Sequence, residues 1–262
     1  MKTTITSFLS VLAVAGALHA GTAEDKTPAP VAPPPADDSL GFSLTAGWDS
    51  TYIYRGVRLG DNLISAGLTA PIKLSDKATL TFTPWYGDIA SNHSAGIHNY
   101  DELDLPVSLT YDFGFVTLGA GYEYYLFPFS HFHTSEPNVT FSKTIGNLSL
   151  YGGAYCDVNA RGGNAIANIK GNPGWYYETG AAYTIKVAPW LSIVPEAKIS
   201  YAENYYGVKG WNNAITKISA PITLSKNASL VPYVAASWAL DPLHDLGQGN
   251  YFFGGAAITV TF

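Results

Sequence analysis

The segment His131-Phe132-His133-Thr134-Ser135-Glu136 brings imidazole, hydroxyl and carboxylate groups together within six residues. A base beside a hydroxyl, with a carboxylate to orient the base, is the arrangement that activates a serine nucleophile. His133 and Ser135 can share one face only if this segment is a strand, because side chains two apart on a strand point the same way. His131 and His133 also have the chemistry of metal ligands, but a pair of loop histidines reads as solvated, and no metal or other cofactor is expected. A second set of charges is spread along the chain: Asp49, Arg55, Glu102, Asp104, Glu123, Glu178, Glu196 and Lys198. No nucleophile-elbow, phosphate-loop or paired-cysteine motif accompanies them. What such a set can do is electrostatic: line an aqueous path and select ions within it. That role depends on the elements that hold the charges.

The composition limits those elements. The chain has 262 residues, with 26 Gly, 18 Tyr, 12 Phe and 6 Trp, and only 13% of it is charged. Ordinary soluble domains carry about 25% charged residues, so this surface is not built for water in the usual way. A single cysteine, Cys156, excludes a disulfide framework and a cysteine-based zinc site. The net charge of −6 argues against nucleic acid as a partner.

Beyond the N-terminal region the hydrophobic period is two, not 3.6. Leu103, Leu105, Val107, Leu109 and Tyr111 alternate with polar neighbours, as do Val116, Leu118, Ala120, Tyr122 and Tyr124, and Ala256, Ile258, Val260 and Phe262. Short turn signals lie at 75–77, 112–114, 145–147, 187–189 and 225–227. Longer polar connections lie at 91–99, 129–135, 158–173, 203–213 and 241–249, with a further break at 58–62. Short and long connections alternate, and they delimit twelve strands near 41–57, 62–75, 78–90, 100–112, 115–128, 136–146, 148–157, 174–187, 190–202, 214–225, 228–240 and 250–262. This layout predicts an all-β protein, an antiparallel up-and-down transmembrane β-barrel with short periplasmic turns and longer outer loops. Ala70-Pro71-Ile72-Lys73-Leu74-Ser75 recurs as Ala220-Pro221-Ile222-Thr223-Leu224-Ser225, which fits hairpin duplication.

Residues 1–20 read as a signal peptide, with Lys2 before the apolar run Phe8–Leu18 and cleavage after residue 20 or 23. Residues 21–40 contain five prolines and read as a disordered periplasmic spacer. The barrel is expected over 41–262. An even strand count puts both termini in the periplasm of a Gram-negative cell. Phe42, Leu44, Ala46, Trp48, Tyr52 and Tyr54 are expected to face lipid. Tyr124, Trp175, Tyr177, Tyr201 and Trp238 form one aromatic girdle, and Phe113, Trp190 and Phe262 the other. Besides outer-membrane lipid, the expected partners are small hydrophilic solutes and the barrel-assembly machinery. The ending Ile258-Thr259-Val260-Thr261-Phe262 resembles the terminal strand that this machinery reads.

Projected onto the alternation, Asp49, Arg55, Glu102, Asp104, Glu123, Glu178, Glu196 and Lys198 point into the lumen, as do Asp157, Lys73, Lys186 and Lys217. Gly119, Gly121, Gly153, Gly180 and Gly255 fall on the same face and favour an open bore. The run Ser50-Thr51-Tyr52-Ile53-Tyr54-Arg55-Gly56 resembles the first-strand signature S-x-Y-x-F/Y-R-G of the TorF-like porin family. Arg58 departs from the small hydroxyl residue often found there. The resemblance implies an outer-membrane barrel of the porin kind. His133, Ser135 and Glu136 are similar to the His–Ser core of the lipid A 3-O-deacylases, although those are eight-stranded barrels. The expected function is passive diffusion of small hydrophilic solutes or ions with a mild cation bias, and not enzymatic. One alternative is a non-conducting structural or surface protein whose lumen is blocked by Arg55, Lys198 and their acidic partners. The other is a rim hydrolase or deacylase using His133 and Ser135.

Overall fold

The computed structural model describes residues 41–91, 100–129, 132–158 and 173–262. The signal peptide and spacer read from the sequence lie outside them. Alternating β-branched, aromatic and small residues form sixteen strand segments. β1 (Ser43–Tyr54) and β2 (Val57–Lys73) make the first hairpin. β3 (Ala78–Phe82) and β4 (Trp85–Ser91) are two parts of one stave, as are β5 (Asp101–Asp104) and β6 (Val107–Asp112). β7 (Thr117–Phe127), β8 (Phe132–Ile145) and β9 (Leu148–Asp157) are continuous. β10 (Gly174–Tyr183) runs on into β11 (Ile185–Ala188), and β12 (Leu191–Tyr205) follows. β13 (Val208–Ser219) with β14 (Ile222–Ser225), then β15 (Ala228–Ala239), a helix α1 (Asp241–Asp245) and β16 (Tyr251–Thr261) complete the chain. The result is a closed antiparallel barrel of twelve staves. β1 pairs with β2 on one side and with β16 on the other, Ser43 opposite both Thr69 and Thr261.

Three of the stave breaks fall at Pro84, Pro106 and Pro221, which have no N–H for the ladder. The sheet stays continuous there because the neighbours use the proline carbonyls or close beside them. Leu68 N–H donates to Pro84 O at 2.9 Å, Thr83 N–H to Pro106 O at 3.1 Å, and Ala220 N–H to Pro232 O at 2.9 Å. The repeated hairpins share a device at their turns. The Ser75 hydroxyl accepts from the N–H groups of Lys77 and Ala78, and the Ser225 hydroxyl accepts from Asn227 N–H.

The outer wall is apolar. Leu44, Trp48, Ile64, Leu109, Phe141, Val234 and Ile258 are exposed along the staves, with Trp175, Tyr177 and Trp238 toward the loop end and Phe113, Trp190 and Phe262 at the turn end. Strand one keeps this pattern only to Trp48. Tyr52 is fully buried inside, because β1 has no ladder partner at Ser50 and a bulge follows at Tyr52 and Ile53. Tyr52 and Tyr54 therefore turn into the lumen and are not lipid-facing.

Two connections read as breaks are tight turns. β2 continues through 58–62, with a register shift opposite Tyr52 and Ile53 and Asn62 at φ 57°, and the first hairpin turns instead at Arg55-Gly56, with φ of 51° and 82°. β12 and β13 fill most of 203–213 and turn at Tyr206-Gly207, with φ of 54° and 76°. Two successive left-handed residues match the twist of a hairpin. β8 begins at Phe132, earlier than expected, and 241–249 contains α1. Most of 91–99 and 158–173 lies outside the described residues.

The apolar core sits inside the loop-end half of the barrel. Tyr52, Val57, Leu59, Leu63, Ile89, Tyr155, Tyr176, Tyr205 and Leu243 pack there. Leu243 comes from α1 and reaches Gly56. A Cβ at Gly56 would lie 2.2 Å from Leu243 Cδ1. Gly56→Ala is expected to destabilise the barrel, by about 1–2 kcal/mol for the left-handed backbone alone, with the clash added. Leu243→Ala, alone and combined with Gly56→Ala, completes a double-mutant cycle whose coupling term is the clash with Leu243. Denaturant midpoints of the folded barrel in lipid separate the two.

Candidate functional site: the charged lumen

Period two sends every second side chain of each stave inward, and closure brings these side chains to one axis. From the turn end, the first layer is an ion pair between Lys217 on β13 and Glu196 on β12, at 2.7 Å. The Tyr151 hydroxyl donates to the same Glu196 carboxylate. Above it Lys198 meets Glu178 at 3.2 Å, and the Tyr155 hydroxyl donates to Glu178 at 3.3 Å.

The next layer is the most buried. Arg55 hangs from the first hairpin and forks onto Glu136 of β8, Nη1 to Oε2 at 2.5 Å and Nη2 to Oε1 at 2.6 Å. Both side chains are 1% exposed. The Tyr205 hydroxyl donates to Glu136 at 3.1 Å, and the Tyr125 hydroxyl donates to Glu123 at 3.0 Å. Around the wall, Tyr52 and Tyr100 both donate to Glu102, at 2.7 and 3.0 Å, and Tyr233 donates to Asp49 at 2.6 Å. Burial, then the neighbouring Glu102 carboxylate, hold the Tyr100 phenol well above its usual pKa, so it stays a donor. Arg55 is fixed from behind: Asn212 Nδ2 donates to its carbonyl at 2.9 Å, and the Tyr206 hydroxyl donates to Tyr54 O at 3.2 Å.

The structure places Asp49, Arg55, Glu102, Asp104, Glu123, Glu178, Glu196 and Lys198 inside the barrel, together with Lys217 and Asp157. Lys73 and Lys186 keep the parity of the inward set but are exposed at the turn end, still paired in the sheet opposite Thr79 and Ser192. Lys73 pairs there with Asp76. The glycines of the inward face lie close against neighbouring side chains. A Cβ at Gly153 would meet the Tyr155 ring, one at Gly180 the Tyr151 ring, and one at Gly255 the Asp49 carboxylate. The space the glycines leave is taken by their neighbours. Among the described residues, eight carboxylates inside the barrel (Asp49, Glu102, Asp104, Glu123, Glu136, Asp157, Glu178 and Glu196) face three cations, Arg55, Lys198 and Lys217.

Sequence reasoning missed Glu136 as a lumen residue because its strand was expected to begin there, which left it no parity. It also missed Tyr54, Tyr155, Tyr176 and Tyr205 as partners of Arg55. Tyr155 alternates with Ala154, and Tyr176 with Trp175 and Tyr177, so the period carried that signal. The His133-x-Ser135-Glu136 segment is strand, so His133 and Ser135 fall on one face, but Glu136 does not join them. Glu136 points inward to Arg55, whereas His133 is exposed on the outer face, its ring 5.5 Å from that of Tyr124. Among the described residues, no three His, Cys, Asp or Glu side chains converge where a metal ion would sit.

No protein-family model matches the sequence, and no curated protein is significantly similar to it. Solved structures do match in fold. An outer membrane channel from Pseudomonas putida superposes with a TM-score of 0.58 at 12% identity, over 87% of this chain and 99% of that one. The translocator domain of the autotransporter NalP from Neisseria meningitidis gives 0.55 at 16% identity, over 86% and 90%. The KdgM porin gives 0.51 at 10%, over 84% and 99%. The chain thus has the fold of the outer-membrane β-barrels, a fold that carries more than one activity.

Glu136→Gln leaves the Arg55 charge buried without an anion, which is expected to cost about 3–5 kcal/mol. Glu203→Gln removes the partner of Lys209 from an exposed pair (side chains 47% and 66% exposed), and no measurable change is expected. Equilibrium unfolding of both variants in lipid, followed by tryptophan fluorescence, provides the comparison.

Proposed function

We propose that the protein is an outer-membrane channel for small hydrophilic solutes or ions, with a mild preference for cations. The excess of buried carboxylates over cations inside an apolar wall carries this reading, because a pore's selectivity follows the charge that lines it. The Ser50–Asp61 run supports placing the chain among the TorF-like porins. Gly41 N–H donates to Phe262 O at 2.9 Å, so both ends of the described chain lie at the turn end. In an outer-membrane barrel that end faces the periplasm. Phe262 there is the residue we assign to recognition by the assembly machinery. The conformation seen here is constricted at the Arg55 layer, where Tyr52, Arg55, Glu123 and Glu136 are at most 1% exposed. Conduction then requires the first hairpin to move.

Planar-bilayer recording of the refolded barrel under a salt gradient tests the reading. Discrete steps with a reversal potential on the cation side are expected. Replacing Glu102 by Gln and Asp104 by Asn together shifts that potential toward the anion side. A folded barrel that stays silent overturns the channel and favours the structural role, and an unshifted potential removes these two carboxylates from selectivity.

A further inference from the structure

The Arg55 guanidinium sits in a box of rings. Its central carbon lies 4.4 Å from the Tyr176 ring centroid, 4.6 Å from Tyr205, 4.9 Å from Tyr155 and 5.0 Å from Tyr54. Glu136 closes the box with a two-point hydrogen bond at 2.5 and 2.6 Å. Several electron-rich faces around one carboxylate are the chemistry by which proteins bind organic cations.

The occupant and the box are built from different parts. Glu136, Tyr155, Tyr176 and Tyr205 stand on β8, β9, β10 and β12, in the barrel wall. Arg55 hangs from a two-residue turn in which it adopts φ of 51°, a backbone that a side chain disfavours. The box also serves only the head of the side chain. Among the described residues Arg55 Nε is buried with no hydrogen-bond partner, while both terminal nitrogens are held by Glu136. An arginine that only neutralised Glu136 would not need a ring on each side of it.

We propose that Tyr155, Tyr176, Tyr205 and Glu136 form a binding site for solutes bearing a guanidinium or amine group, and that Arg55 is its tethered occupant in the constricted state. A solute of this class competes with Arg55, and its entry accompanies release of the first hairpin. The assignment of these ligands as permeant solutes rests on the channel reading, whereas the binding site itself does not.

The test uses the full refolded barrel with Arg55→Ala and methylguanidinium chloride as the probe. Arg55→Ala is expected to bind methylguanidinium saturably, seen as a raised melting temperature and a change in tyrosine and tryptophan fluorescence, against sodium chloride at equal ionic strength. Wild type, with the box filled, responds more weakly by about tenfold or more. Adding Glu136→Gln to Arg55→Ala abolishes the response. If Arg55→Ala does not fold alone, methylguanidinium present during refolding restores the folded form. A variant that responds no more than to sodium chloride, one whose response survives Glu136→Gln, or one that is not rescued in refolding overturns the site. Bilayer recording of the same variant separates the two readings. Binding by a silent barrel keeps the site and removes the channel, and current without binding or block by methylguanidinium does the reverse.

Discussion

Everything in this molecule follows from the need to pair each backbone N–H and C=O where no water is available. A sheet meets that demand in hydrocarbon only by closing on itself. Closure here is the double pairing of β1, with β2 along one edge and β16 along the other. The prolines at 84, 106 and 221 occupy positions where a missing donor is tolerated, and the adjoining ladder bonds hold across them. Once the sheet is closed, it has one outer and one inner face. The outer face then takes exposed apolar side chains, and the inner face takes the charged ones together with the apolar core of the loop-end half.

Closure also makes the lumen a place of low dielectric wherever side chains fill it. A charge there must find a partner or lose its ionisation. The pairs Lys217–Glu196, Lys198–Glu178 and Arg55–Glu136 answer this requirement at three heights, each with a tyrosine hydroxyl on the carboxylate. The tyrosines that make the sequence so aromatic thus divide into two populations. Those facing out, such as Tyr177, sit at the membrane interface. Those facing in, such as Tyr52, Tyr155 and Tyr205, donate to buried carboxylates.

The two ends of the barrel differ in how they are filled. Toward the turn end the interior is an ion-paired ladder on the wall itself. Toward the loop end the chain folds back into the bore, with Arg55 and Gly56 at a hairpin tip and Leu243 of α1 packed against Gly56. The tip is fastened by the buried Arg55–Glu136 pair, by the Asn212 and Tyr206 side chains acting on backbone carbonyls, and by the packing of Gly56 against Leu243. The constriction is thus shared between a hairpin tip, which carries Arg55, and the staves, which carry Glu123 and Glu136.

The sequence by itself determined the wall. Period two is a local property, so the staves, the short turns at 75–77 and 225–227, the lipid-facing side and the inward parity of Asp49, Glu102, Glu123, Glu178 and Lys198 could be read without knowing the closed shape. Local signals failed where the chain leaves the period. The turns at Arg55-Gly56 and Tyr206-Gly207 put arginine and tyrosine in left-handed conformations that their side chains disfavour. Polar clusters at 58–62 and 203–213 looked more like turns than these dipeptides did. The change of face after Trp48 was hidden in the same way, because a bulge shifts parity without a distinctive residue. Which inward groups meet was beyond the sequence altogether. Arg55 and Glu136 are 81 residues apart and belong to staves that are not neighbours. Only the circumference and stagger of the closed sheet bring them face to face across the lumen, and with them the rings that turn a salt bridge into a cage.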